Sequence, residues 1–253
     1  MSARAVWAVF ARNMDVFRRY WLNNLVSNFF EPFLYLLGMG VGMTRYVGGI
    51  DGVSYTAFIA PGIVASTAMF AATFESTYGT FVRMEFQKTF DAMIATPVNV
   101  EEVAVGELVY GAVKAAIVGV IILAVVEVFG FVPGWHYSAL LVPPAALLVG
   151  LVFSALAMTA STLVPQIDHF NYYITLLITP MFVFSGIFFP LEGLPSAVRA
   201  VAWFTPLMHG VRMSRELIFG TWTHVWADAL WLAVAAAALS WLPVILLRRR
   251  LIR

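Results

Sequence analysis

The feature that most constrains this chain is a series of long apolar stretches. Each is close to the ~20 residues a helix needs to cross a bilayer core about 30 Å thick. Six segments meet that length, at residues 25–44, 56–81, 103–131, 138–164, 170–189 and 225–247. Of 253 residues, 61% are hydrophobic and 11% are charged. Soluble domains carry roughly 25% charged residues, so a globule of this composition would expose too much apolar surface to stay dispersed in water. The expectation is an all-α membrane protein with six transmembrane helices in a single transmembrane domain over 1–253.

Several function classes are excluded. A net charge of +1 without a basic cluster gives nucleic acid nothing to bind. There are no cysteines, hence no disulfides or thiol chemistry. His136, His169, His209 and His224 are dispersed without metal-ligand spacing, so no metal site is expected. No GxSxG elbow or paired acids suggest a catalytic site, and none is expected. No glycine-rich phosphate loop occurs, so the chain holds no cofactor of its own, and any ATP-driven work needs a second polypeptide.

Lys and Arg set the orientation. Arg4, Arg12, Arg18, Arg19, Arg83, Lys88, Arg248, Arg249, Arg250 and Arg253 share one side. Arg45, Arg199, Arg212 and Arg215 share the other, and Lys114 lies within a span. With an even number of spans, both termini face the cytoplasm. Residues 1–22 read as an amphipathic interface helix, because Trp7, Phe10, Met14, Phe17 and Trp21 recur every three or four residues among arginines.

Two segments outside the spans stand out. Residues 83–103 form the one sizeable cytoplasmic loop, with Phe86, Phe90, Met93 and Ile94 at helical spacing and Glu85, Lys88 and Asp91 on other faces. Pro97 stops that helix, and Asn99 with Glu101 and Glu102 reads as a cap for the next span. Its residues fit either a surface for a soluble partner or an interfacial anchor. On the outer side, residues 190–223 are too apolar for a solvated loop and are interrupted by Pro195, Pro206, Gly193, Gly210 and Gly220. Two short helices dipping into the outer leaflet fit that pattern. There, His209 near Arg212 and Arg215 fits an anionic headgroup or a structural cluster.

Charges within the spans each need a partner or water. Glu31 and Glu107 read as residues at interface depth; Glu75 and Lys114 fit a polar route and structural pairing equally well. Glu107 and Lys114, seven apart on one face, could be bridged through a neighbouring helix. Gly38 and Gly42 form a GxxxG that permits close helix approach.

The runs FDAMIATPVNVEEVAVGELVYGAVKA, EPFLYLLGMGVG, ITPMFVFSGIFFPLEGLP and FTPLMHGVRMSRELIFG occur in this order. In them the chain resembles the type-2 membrane subunit of ATP-binding-cassette exporters, above all the branch exporting nodulation-type lipo-oligosaccharides. Drug-resistance permeases are its neighbours. The resemblance implies a plasma (inner) membrane permease that pairs as a homodimer with two copies of a cytoplasmic ABC ATPase, which would hold ATP and Mg. It implies a coupling helix over 84–97, with Glu85, Phe86, Lys88, Phe90, Asp91 and Thr96 as the ATPase-coupling residues. It also implies outer re-entrant helices over 196–220, carrying His209, Arg212 and Arg215. Amphipathic cargo would pass Phe30, Tyr35, Phe74, Glu75, Phe182 and Phe184. The alternative is a stand-alone secondary carrier or channel.

Overall fold

The computed structural model describes residues 1–50, 52–134 and 136–251. Arg253, counted above among the inner-side cations, lies outside the described residues. Helix α1 spans Ala3–Arg19. Helix α2, Trp21–Tyr35, continues through a wider π turn, Leu36–Val41, into a last turn, Gly42–Val47. A minimal hairpin pairs Gly49–Ile50 with Val53–Ser54. There follow α3 (Tyr55–Phe86), α5 (Val100–Val128) and α6 (Tyr137–Leu163), with the single-turn α4 (Thr89–Ile94) between the first two. A segmented helix α7 covers 170–183, then α8 (Ser196–Trp203), α9 (Pro206–Phe219) and α10 (Val225–Leu251).

Among the described residues, four helices are long and apolar enough to cross a membrane: α3, α5, α6 and α10. They correspond to the second, third, fourth and sixth expected spans. The first and fifth are helical but segmented. The fifth, expected to reach residue 189, stops at Val183, where Phe184 leaves helical geometry and Gly186 turns at φ +82. Its 14 residues extend only about 21 Å at 1.5 Å each, short of a full crossing.

Local chemistry sets the boundaries. Ser54 Oγ accepts from the Ala57 amide at 3.2 Å and starts α3. Glu102 Oε2 accepts the Asn99 amide at 2.9 Å, half of a capping box at the start of α5. Glu216 accepts the His224 and Val225 amides at 2.7 and 3.1 Å, satisfying orphan donors at the start of α10.

Helices α5 and α6 pack through small residues. A Cβ on Gly150 would lie 2.6 Å from the Ala115 Cβ and 2.9 Å from the Ala112 Cα, so only glycine lets the backbones come this close. Gly106 plays the same part for α1, seating Val9 against α5. Of the glycine pair in α2, neither Gly38 nor Gly42 packs on another element; Gly40 does, against Thr56 of α3. The expected aromatic stripe turns outward at Trp7 of α1 and at Trp21, the first residue of α2, while Val9 and Asn13 are the buried residues of α1.

Two apolar clusters result. The larger lies among α3, α5, α6, α9 and α10. A smaller one gathers Val9, Phe81, Phe90, Val103, Phe170 and Leu247 at the end that holds both termini.

Candidate functional site

A chain of buried charges runs through that end of the bundle. Lys114 Nζ of α5 donates to Glu75 Oε2 of α3 at 2.6 Å. Arg83 donates to Glu75 Oε1 at 2.7 Å and to Glu107 Oε2 at 2.6 Å. Asn13 of α1 donates to the remaining oxygen, Glu107 Oε1, at 2.7 Å. All four carboxylate oxygens are thus engaged, and two acids balance two bases.

Pairing of Glu75 with Arg83, eight residues along one helix, depends on the wide turns at Glu75–Gly79 and Val82–Phe86. Such a turn takes up an extra residue, so residues eight apart share a face as residues seven apart do in a regular helix. The bridge between Glu107 and Lys114 is therefore Glu75 with Arg83. Arg83 had counted in the sequence only as an orientation charge. Glu107, expected at interface depth, is 1% exposed at its side chain and paired. Asn13 carries no sequence signal beyond interrupting an apolar face. Beside it, burial holds the Arg12 guanidinium below its usual value, with repulsion from Arg83 adding to the effect.

Against the Glu75–Lys114 pair lies a cavity of about 320 Å³ between α2, α3, α5 and α7. Glu31, Tyr35, Phe70, Phe74 and Phe182 line it together with that pair. Of the expected pathway residues, it brings together Tyr35, Phe74, Glu75 and Phe182. Phe30 lines an adjoining, more open groove that shares Glu31 and Tyr35. Phe184, past the end of α7 and 42% exposed, lines neither.

Ring contacts extend from this cavity without a break. Tyr35 meets Phe182 (6.0 Å between centroids), which meets Phe70 (5.3 Å), then Phe74 (6.0 Å) and Tyr78 (6.1 Å). Tyr78 meets Phe170 (5.1 Å), then Phe81 (5.5 Å) and Phe86 (5.9 Å) beside α4.

The expected helix over 84–97 is divided. Residues to Phe86 belong to the end of α3, Lys88 adopts φ +53, and only Thr89–Ile94 forms a separate turn. A positive φ at a non-glycine residue breaks the helical ladder, and the expected apolar face breaks with it. Phe90, expected to face a partner, is fully buried and anchors the loop, whereas Phe86 is 67% exposed. Lys88 and Asp91 are exposed too. Glu85 pairs with Arg250 of α10 at 2.8 Å and with Lys88 at 3.4 Å. Thr96 Oγ1 turns back to donate to the Met93 carbonyl at 2.6 Å. Arg250 also donates to the carbonyls of Ser161, Thr162 and Val164, closing the end of α6.

At the opposite end, Asp228 of α10 is wholly buried and gathers two side chains of α9. Arg212 Nε donates to its Oδ2 at 2.8 Å, and His209 Nδ1 lies 2.7 Å from its Oδ1. Hydrogen bonding to Asp228 holds the Arg212 guanidinium above its usual value, against the opposing effect of burial. Arg215 turns elsewhere, donating to the Gly186 carbonyl at 2.8 Å and lying 4.2 Å over the Phe58 ring. Sequence reading paired His209 with the arginines and missed Asp228, whose position 19 residues beyond His209 carries no local pattern.

A model of the ABC-2 type transporter family matches residues 4–219. The chain is similar to Nodulation protein J of Rhizobium leguminosarum bv. trifolii, with 39% identity across 97% of this chain and 94% of that relative. It is similar to Nodulation protein J of Rhizobium meliloti (strain 1021), with 39% identity across 96% and 93%. A more distant relative is Inner membrane transport permease YadH of Escherichia coli (strain K12), with 23% identity across 81% and 79%.

Proposed function

We propose, from the premise that this chain belongs to the ABC-2 type transporter family, that it forms the membrane-spanning conduit of an exporter for an amphipathic glycolipid of the lipo-oligosaccharide kind. The family is one of transport permeases rather than enzymes, and its apolar helices make the chain a multi-pass membrane protein. The cavity carries the proposal. Rings of Tyr35, Phe70, Phe74 and Phe182 offer apolar walls, and Glu31 with the Glu75–Lys114 pair offers polar contacts. That pairing suits cargo with one greasy and one hydrophilic part.

In this reading α2 and α7, the latter continued by the irregular residues 184–189, complete six spans in the plasma membrane, with both termini cytoplasmic, and α8 and α9 are the outer re-entrant helices. Two copies pair, and the open backbone of Gly38 and Gly42 with exposed Leu34 and Val41 favours α2 as the contact face. Two cytoplasmic ATPases, which hold ATP and Mg, dock on the exposed Phe86, Lys88 and Asp91, with Glu85 and Thr96 at the rim. The ring series from Phe86 to Phe182 offers contiguous packing through which docking could reach the cavity. ATP drives the switch only if it binds one arrangement of the pair better than the other.

The test is co-purification and nucleotide-dependent transport by the reconstituted complex, with wild type beside Phe86→Ala/Asp91→Ala. The expected result is weaker ATPase capture and loss of substrate-stimulated hydrolysis in the variant. Sustained uphill transport by the chain alone would favour the stand-alone carrier and overturn the proposal.

A further inference from the structure

His209 sits where the two outer helices meet α10. Its side chain is 2% exposed, and its ring stacks on Trp231 of α10 at 4.2 Å between centroids. Nδ1 faces the Asp228 carboxylate at 2.7 Å, and Nε2 faces the Trp203 backbone carbonyl, at the end of α8, at 2.8 Å. Both neighbours are acceptors. Asp228 has no proton to offer, because it pairs side-on with the permanently charged Arg212 guanidinium and stands as a carboxylate. A backbone carbonyl can only accept. A neutral imidazole carries one N–H and would set a lone pair against oxygen on its other side, so this geometry needs a donor at each nitrogen.

We propose that His209 is a protonation latch, whose doubly protonated ring ties α8, α9 and α10 together and whose loss of one proton releases α8. Among the described residues, Asp228 comes from α10 and Arg212 from α9 itself; the adjoining pocket that Arg212 also lines brings Glu192, Arg199 of α8, Arg215 and Glu216 of α9, and His224, which pairs with Glu216 at 2.8 Å. Helix α6, which packs on α9 through Val149 at Gly210, brings no charged residue. When the ring loses a proton, the one that stays belongs on Nδ1, because a carboxylate is a stronger acceptor than an amide carbonyl. The Trp203 contact is then lost, while Arg212 still holds Asp228. The latch is closed at low pH and opens as pH rises. Its bearing on cargo exit rests on the function proposed above, but the latch itself does not.

The absence of cysteine permits clean labelling of the full chain in lipid bilayers. Spin labels at Arg199→Cys and Trp226→Cys report the separation of α8 from α10. The distance distribution is expected to be narrow near pH ~6 and broad near pH ~9. In His209→Gln, whose amide does not titrate, it is expected to be the same at both. The α8 amides should exchange roughly tenfold faster once released, the equivalent of one hydrogen bond to a charged group. Nitrogen-15 spectra of labelled histidine, compared with His209→Gln for assignment, should show both His209 nitrogens protonated at the lower pH. A neutral ring there, a distribution indifferent to pH, or a pH response that persists in His209→Gln would overturn the proposal. If His209→Gln does not fold, the wild-type distance contrast between the two pH values still decides. Failure to capture an ATPase would count against the exporter reading and leave the latch standing.

Discussion

Replacing Arg83 by methionine keeps most of the side-chain volume and removes one charge of four. Glu75 would keep Lys114, and Glu107 would be left with Asn13 and the half-buried Arg12, poorer compensation where the two acids are 9% and 1% exposed. Removing one partner of a buried pair costs about 3–5 kcal/mol. Arg83 is 13% exposed and borders a second cavity of about 500 Å³, so the lower figure, ~3 kcal/mol, applies. For a chain of this size that lowers the melting temperature by about 6–12 °C. Glu107→Gln alone should cost a similar amount, because it leaves Arg83 the surplus charge. The double variant Arg83→Met/Glu107→Gln restores neutrality, so its loss should fall short of the sum of the singles by about 1–3 kcal/mol. Thermal scans of detergent-purified protein at one fixed rate, followed by near-UV circular dichroism, measure all four species under equal kinetic conditions. Additive losses, or a single variant that melts with wild type, would refute the charge-balance reasoning.

Phe90→Ala should destabilise by about 3–5 kcal/mol, since the ring is fully buried, whereas Phe86→Ala should change stability by less than ~0.5 kcal/mol; melting of the two variants checks this. Gly150→Ala forces a methyl into the α5–α6 contact and should cost about 1–3 kcal/mol, read as a lower melting temperature. Arg250→Ala strips donors from the carbonyls of Ser161, Thr162 and Val164, so hydrogen exchange at the end of α6 and of α10 should speed up while the centre of α5 stays protected.

Much of the bundle was legible because burial in lipid demands long uninterrupted apolar runs, and α3, α5, α6 and α10 have them. The fifth expected span was less legible. Hydropathy continues through Phe184–Phe189, but the backbone turns at Gly186 and the helix has already stopped, since apolar composition is compatible with irregular backbone covered by protein. The loop after α3 shows the same limit. Helical spacing of Phe86, Phe90 and Met93 suggested one face, yet a left-handed Lys88 sends Phe86 outward and Phe90 into the core. Tyr35, Phe74, Glu75 and Phe182 were selected as large or charged residues within spans, and they meet at one cavity. Phe30 faces an adjoining groove, because composition does not say which way a helix is rotated, and Phe184 lies past the end of α7, where the helix has already stopped.

The sequence by itself determined that the chain is a helical membrane protein without a nucleotide loop, with its cations weighted to one side and its charges sparse within the spans. Those properties follow from composition and one-dimensional spacing. Only the tertiary structure decided which charges meet. Arg83 joins Glu75 to Glu107, and Asp228 joins Arg212 to His209. Partners 24 or 19 residues apart are chosen by helix rotation, wide turns and close backbone approach, none of which leaves a periodic trace in the chain.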